Sequence, residues 1–152
     1  MKKTIFLYMI AISFSSIAQP IINFADSTFK SKLLSALPSN QIAENSLGQN
    51  IKIDINNDFQ IQLSEALPVS KLFLLASGIT SVSGIEYFTN LKWLDIMSNQ
   101  LTTLNISQNL FLQTLSASNN NQLSNFITNQ SSLKYLDLGT CNFSNLNLTS
   151  NT

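Results

Sequence analysis

The feature that most limits what this chain can fold into is a recurring order of apolar places. In the run 91–104, Leu91, Leu94, Ile96, Leu101 and Leu104 fall at the first, fourth, sixth, eleventh and fourteenth places, with Asn99 at the ninth. That order is neither a helical period nor plain strand alternation. It reads as a short strand with Leu94 and Ile96 on one face, then a turn whose asparagine faces inward, then a second inward pair. Leu133, Leu136, Leu138, Cys141, Phe143 and Leu146 hold the same places. Leu112, Leu115, Ala117 and Asn120 begin another copy, in which an extra Asn in Asn119-Asn120-Asn121 shifts the later leucine to Leu123. Val69, Leu72, Leu74, Ser77, Ile79 and Val82 make a looser first copy. Starts at 69, 91, 112 and 133 lie 22, 21 and 21 residues apart. A unit that short cannot bury its own apolar face, so the units must stack.

The order of places resembles the leucine-rich repeat signature, L-x-x-L-x-L-x-x-N/C-x-L, from residue 69 onward. The resemblance implies an α/β solenoid, a short array of about four repeats with a parallel sheet on its concave side and a small helical N-terminal cap. Strands are expected at 71–74, 93–96, 114–117 and 135–138, paired in register. At the ninth place, Ser77, Asn99, Asn120 and Cys141 face inward, where an amide can satisfy turn backbone that no ladder reaches.

Ahead of the repeats the chain divides in two. Residues 1–18 read as an export signal: Lys2-Lys3, an apolar run from Ile5 to Phe14, then Ser16-Ile17-Ala18 at the cut. The run is too short for a permanent membrane span. Cleavage after Ala18 leaves Gln19 first, and no cysteine there could carry a lipid. Residues 19–68 form the cap, and 69–152 the repeats, the last one incomplete. A helix is expected over 26–37, capped by Asp26, with Phe29, Leu33, Leu34 and Leu37 along one stripe and Pro38 stopping it.

Loop 54–65 is the one stretch with coordination chemistry. Asp54, Asn56, Asp58, Gln60 and Glu65 follow the order of an EF-hand calcium loop, with Ile61 at its apolar eighth place. Calcium is the ion such oxygens would take, and no other cofactor is called for. Phe59 stands where the loop wants glycine, at a place that usually takes positive φ. Ile51, Ile53 and Ile55 ahead of it alternate like a strand and not like an entering helix.

The run 54–66, followed by Gly84-Ile85-Glu86-Tyr87-Phe88-Thr89-Asn90-Leu91, resembles exported bacterial repeat proteins of the flavobacterial type, with the EF-hand-like loop in the cap. It is similar, more distantly, to the internalins. That resemblance implies a secreted or cell-surface, non-catalytic module binding a protein or glycan. The chain stops at Thr152 partway through its fourth repeat. The alternative is therefore a structural spacer or a truncated fragment of a larger surface repeat protein, with no partner of its own.

In such repeats the third, fifth and seventh places point outward. They hold Lys71, Phe73 and Leu75; Trp93, Asp95 and Met97; Thr114, Ser116 and Ser118; Tyr135, Asp137 and Gly139. Exposed aromatics are over-represented at binding hot spots, which makes Phe73, Trp93 and Tyr135 the expected contacts, with Met97 as an adaptable neighbour and Asp95 and Asp137 beside them. Phe73 and Leu75 have a plainer role open to them, packing beneath the cap. The opposite side carries mostly Asn, Ser and Thr, Asn109 among them.

Composition closes several other routes. The chain has 8 basic and 8 acidic residues, and losing Lys2 and Lys3 leaves it slightly acidic, so nucleic acid is a poor partner. There is no histidine, which removes the commonest general base and metal ligand. A single cysteine without a base is no nucleophile and forms no internal disulfide. Asp95 and Asp137 would lie roughly 9–10 Å apart two strands on, but without a pocket they do not make a glycosidase pair. The Asn-x-Ser/Thr matches at Asn105, Asn129, Asn142 and Asn147 follow from composition.

Overall fold

The computed structural model describes residues 19–129, 131–144 and 146; the expected export signal lies outside them. The first element, α1 (Ser27–Leu34), starts because Asp26 caps it. Its Oδ1 accepts the backbone N–H groups of Thr28 at 2.7 Å and Phe29 at 3.1 Å. Phe29 and Leu33 are fully buried. The helix stops one turn earlier than its apolar stripe suggests. Asn40 donates to the Ser35 carbonyl and accepts from Leu37 N, replacing the last helical turn and leaving Leu37 exposed. After β1 (Ala43–Glu44) the run 51–55 is irregular instead of a strand: Ile53 is buried, Ile55 exposed, and Ile51 N bonds back to Ala43. A single turn of helix, α2 (Leu63–Ala66), then leads into the repeats.

Four repeats contribute β2 (Lys71–Phe73), β3 (Trp93–Asp95), β5 (Thr114–Ser116) and β7 (Tyr135–Asp137), enclosing three turns of solenoid. These strands pair in parallel, Leu72 with Leu94, Leu115 and Leu136 in turn, and β1 closes the edge antiparallel to β2. Each is one residue shorter than the apolar pattern suggests. A second, two-stranded sheet was not legible in the sequence: β4 (Thr103–Asn105) pairs in parallel with β6 (Asn125–Ile127). Here Leu104 faces Phe126, a step of 22 against 21 in the main sheet, so the extra Asn is absorbed in the turn between the sheets.

Leu72, Leu74, Leu91, Leu94, Ile96, Leu101, Leu104, Leu112 and Leu115 form one continuous, fully buried core between the two sheets. In the last repeat Leu133, Leu136, Leu138 and Phe143 are only half-buried.

The turn after each strand has a shared cause. The eighth place of every repeat is left-handed and none of the four is glycine: Ala76 (φ 49°), Ser98 (56°), Asn119 (59°) and Thr140 (55°). Each such residue costs roughly 1–2 kcal/mol, and the ninth place holds it there. Asn99 is buried; its Oδ1 accepts Ser77 N at 3.1 Å and Ile79 N at 3.0 Å, and its Nδ2 donates to the carbonyls of Leu74 (2.9 Å), Ile96 (3.0 Å) and Met97 (3.1 Å). Asn120 repeats this one turn on, accepting Leu101 N at 3.1 Å and donating to Ile96 and Ala117. Ser77 is half-exposed and donates its hydroxyl to Leu75, so it makes no such bridge.

One carboxylate ties the cap to the first repeat. Asp26 Oδ2 accepts Thr80 N at 2.6 Å, the Thr80 hydroxyl at 2.7 Å and Ser81 N at 3.1 Å, while Oδ1 caps α1. Burial alone would raise this carboxyl; the Thr80, Phe29 and Ser81 hydrogen bonds outweigh it and hold the group well below the usual range. Beside it the Phe24 ring stacks edge-on to Phe29 and lies against Gly84, where φ is +105° and an added Cβ would sit 2.6 Å from the ring. Only glycine satisfies both demands.

Candidate binding surface

The open face of the five-stranded sheet is set by strand alternation: Leu72, Leu94, Leu115 and Leu136 point in, and their neighbours point out. Register then forms two rows. One runs Lys71, Trp93, Thr114, Tyr135; the other runs Phe73, Asp95, Ser116, Asp137. Trp93 is 39% and Tyr135 54% exposed. Phe73 is half-buried and its ring lies 6.4 Å from that of Trp93, inclined at 43°. Leu75 is exposed and does not pack beneath the cap; Met97 is half-buried.

Both acids are held by the same local device. Asp95 Oδ1 accepts Met97 N at 3.2 Å and Asp137 Oδ1 accepts Gly139 N at 3.0 Å, each a carboxylate bonding backbone two residues on. Asp137 Oδ2 also accepts the Ser118 hydroxyl at 2.8 Å. That bond covers Ser118, which turns to the outward side as its place predicts but is buried and offers no free surface. At the sheet edge Lys71 pairs with Glu44 at 2.8 Å. Cys141 is half-buried, its thiol donating to the Ala117 carbonyl at 3.4 Å. Burial pushes that thiol up, and the Asp137 charge adds to the effect, which opposes nucleophilic use.

Asn109 is also a correction: it is fully buried, donating to the carbonyls of Ile85 at 2.8 Å and Phe88 at 3.2 Å. It ties the corner at 106–112 to the turn at 85–88 and is not convex surface. A groove of about 690 Å³ on the cap is lined by Ile21, Ile51, Lys52 and Ile55 and by Asn56, Asp58, Gln62 and Glu65 of the loop at 54–65.

The loop at 54–65 closes on itself. Phe59 takes φ 60° and stands 73% exposed, so the chain adopts the glycine conformation without glycine. Asp54 accepts Asp58 N and Phe59 N, and Asp58 accepts Gln60 N at 2.8 Å and the Gln62 amide at 2.7 Å. The Gln60 N–H is the main reason the Asp58 carboxyl sits below its ordinary value. Glu65 caps α2 through Gln62 N at 3.1 Å and holds Ile55 N at 2.7 Å and Asn56 N at 3.3 Å. The donor set is all oxygen and suits calcium in kind. Its carboxylates are engaged with backbone and amide donors, and among the described residues no three His, Cys, Asp or Glu side chains gather as a metal-binding group.

No family model and no curated protein matches the chain. Solved structures do. The functional domain of InlJ from Listeria monocytogenes, which includes a cysteine ladder, aligns over 85% of this chain and 30% of its own at 22% identity, with a TM-score of 0.51. An internalin, InlF, from the same organism aligns over 81% of this chain and 39% of its own at 19% identity, with a TM-score of 0.46. The chain thus spans about a third of the length of these proteins. The first likeness shows the fold, a leucine-rich repeat solenoid. Among the described residues no helix is long and apolar enough to cross a membrane.

Proposed function

We propose that this chain is a non-catalytic binding module of an exported, surface-located protein, and that its open sheet face receives a protein or glycan ligand. One observation carries the reading: two large aromatic side chains, Trp93 and Tyr135, stand exposed on in-register strands with a fixed carboxylate beside each. Rigid aromatics bind at low cost in side-chain entropy and recur at hot spots. The likeness to internalin structures supports a repeat protein built for contact; it does not name a ligand. Support for the absence of catalysis comes from a chain without histidine and a cysteine whose thiol is raised.

Binding is tested with Trp93→Ala against any captured ligand. Loss of a hot spot costs about 2 kcal/mol or more, roughly thirtyfold in affinity. Gln108→Ala, exposed on the far side, is the control. The spacer alternative requires that neither substitution alter any association of the protein. A weak calcium site at Asp54, Asn56, Asp58, Gln60 and Glu65 is proposed alongside, supported by the donor order and by the φ of Phe59.

A further inference from the structure

Two of the four repeats carry the same lysine-aromatic-leucine-aspartate pattern on their strand, Lys92-Trp93-Leu94-Asp95 and Lys134-Tyr135-Leu136-Asp137, while the repeat between them has Gln113-Thr114-Leu115-Ser116. Register aligns Trp93, Thr114 and Tyr135 in one row and Asp95, Ser116 and Asp137 in the next. An aromatic ring with a carboxylate two residues away on the same face therefore recurs after two strand steps, roughly 9.6 Å on. Thr114 and Ser116 between them are small and half-buried. Both members of each pair attract a cation, the ring through its negative face and the acid by charge. Among the described residues no lysine forms an ion pair with either acid. Lys71 is taken by Glu44, and Lys92 lines the flank with Ser46, Leu67, Pro68 and Asn90. The hydrogen bonds from Met97, Gly139 and Ser118 fix the carboxylates before any partner arrives, and Phe73 abuts the Trp93 ring.

We propose that this face takes an extended basic segment of a partner protein, in the polyproline II conformation, with two Lys or Arg side chains three residues apart. The inference rests on the open face being the binding face. Polyproline II has three residues per turn and a rise of ~3.1 Å, so residues i and i+3 face the same way ~9.3 Å apart, close to the two-strand step. A β-strand places same-face residues ~6.8 or ~13.6 Å apart, missing the second pair. An α-helix matches only at i and i+7, ~10.5 Å apart.

Trp93 is the single tryptophan of the chain, so its fluorescence reports on the site directly. Synthetic proline-based peptides with lysines three residues apart are titrated against the same peptides with lysines two or five apart, and with glutamates three apart. The three-residue lysine spacing should bind roughly tenfold more tightly than the others. Asp95→Asn and Asp137→Asn should each lower that affinity roughly tenfold without altering the melt, and added salt should weaken it. Equal binding across the spacing series, equal binding of glutamate peptides, or no response to any lysine peptide overturns the proposal. If a neutral oligosaccharide instead shifts Trp93 emission and loses its affinity in Trp93→Ala, the basic segment is wrong and the binding face stands. A ligand indifferent to Trp93→Ala, Asp95→Asn and Asp137→Asn in folded protein removes the face itself.

Discussion

Replacing Asn99 by alanine should remove a large part of the stability of this small solenoid, and the structure gives the amount. Five hydrogen bonds go. Three of the freed groups fare better than the rest: Ser77 N lies near solvent, Met97 O keeps Ala76 N, and Ile96 O keeps the Asn120 amide. Ile79 N and the Leu74 carbonyl are left buried without a partner. Each stranded buried group costs about 1–3 kcal/mol, so a loss of about 3–4 kcal/mol is expected. Total stability of a domain this size is about 5–15 kcal/mol. Asn120→Ala strands Leu101 N fully but leaves Ala117 O the weak Cys141 thiol, so it should cost less, about 2–3 kcal/mol. Cys141→Ala, losing only that weak donor, should cost under about 1 kcal/mol. Asn99→Asp keeps the acceptor and turns a charge on three carbonyls, so it should be worse than alanine. Urea unfolding followed by circular dichroism and by Trp93 fluorescence measures all four, with an unchanged slope as the condition for comparison. An Asn99→Ala loss below about 1 kcal/mol, or Cys141→Ala costing the most, would refute the idea that the ninth-place amide holds the turns.

Other expectations follow from single contacts. Because the Asp26 carboxyl is depressed in the folded state, its contribution is complete above the unfolded value near pH 4 and is lost as pH falls further; Asp26→Asn should lower stability at pH 7 and flatten the acid limb of the unfolding curve. Phe59→Gly should stabilise by about 1 kcal/mol by relieving a positive φ, and should strengthen calcium binding; identical melts of parent and variant with calcium and with chelator would favour a loop that holds no ion. Gly84→Ala should cost about 2 kcal/mol or more, since it must displace the Phe24 ring; thermal melting checks this. Leu94→Asp should unfold the repeats, and a native circular dichroism spectrum for that variant would overturn the inward assignment.

The repeat frame was legible because Leu94, Ile96 and Asn99 answer one demand, burial without orphaned backbone, and their spacing records it. The shifted Leu123 was legible too, and the second sheet shows where its shift goes. That sheet escaped notice because its strands, Thr103–Asn105 and Asn125–Ile127, are only three residues long, too short for alternation to read as a strand. Asn109 looked like surface because asparagine is common on this surface; only the corner geometry gives its amide two buried carbonyls. Ser118 keeps its outward place, but its bond to Asp137 buries it, which no single-repeat pattern shows. Trp93, Asp95, Tyr135 and Asp137 could be placed from periodicity, whereas the turns that hold the two acids are three-dimensional facts.

The ninth-place amides also set an order of assembly. Asn99 reaches back to Leu74, Ser77 and Ile79, and Asn120 reaches back to Ile96 and Leu101. Each repeat thus completes the turn of the one before it and depends on the one after it for its own. A chain leaving a ribosome or an export channel N-terminus first can therefore consolidate behind the exit point, with one unfinished turn at the growing end.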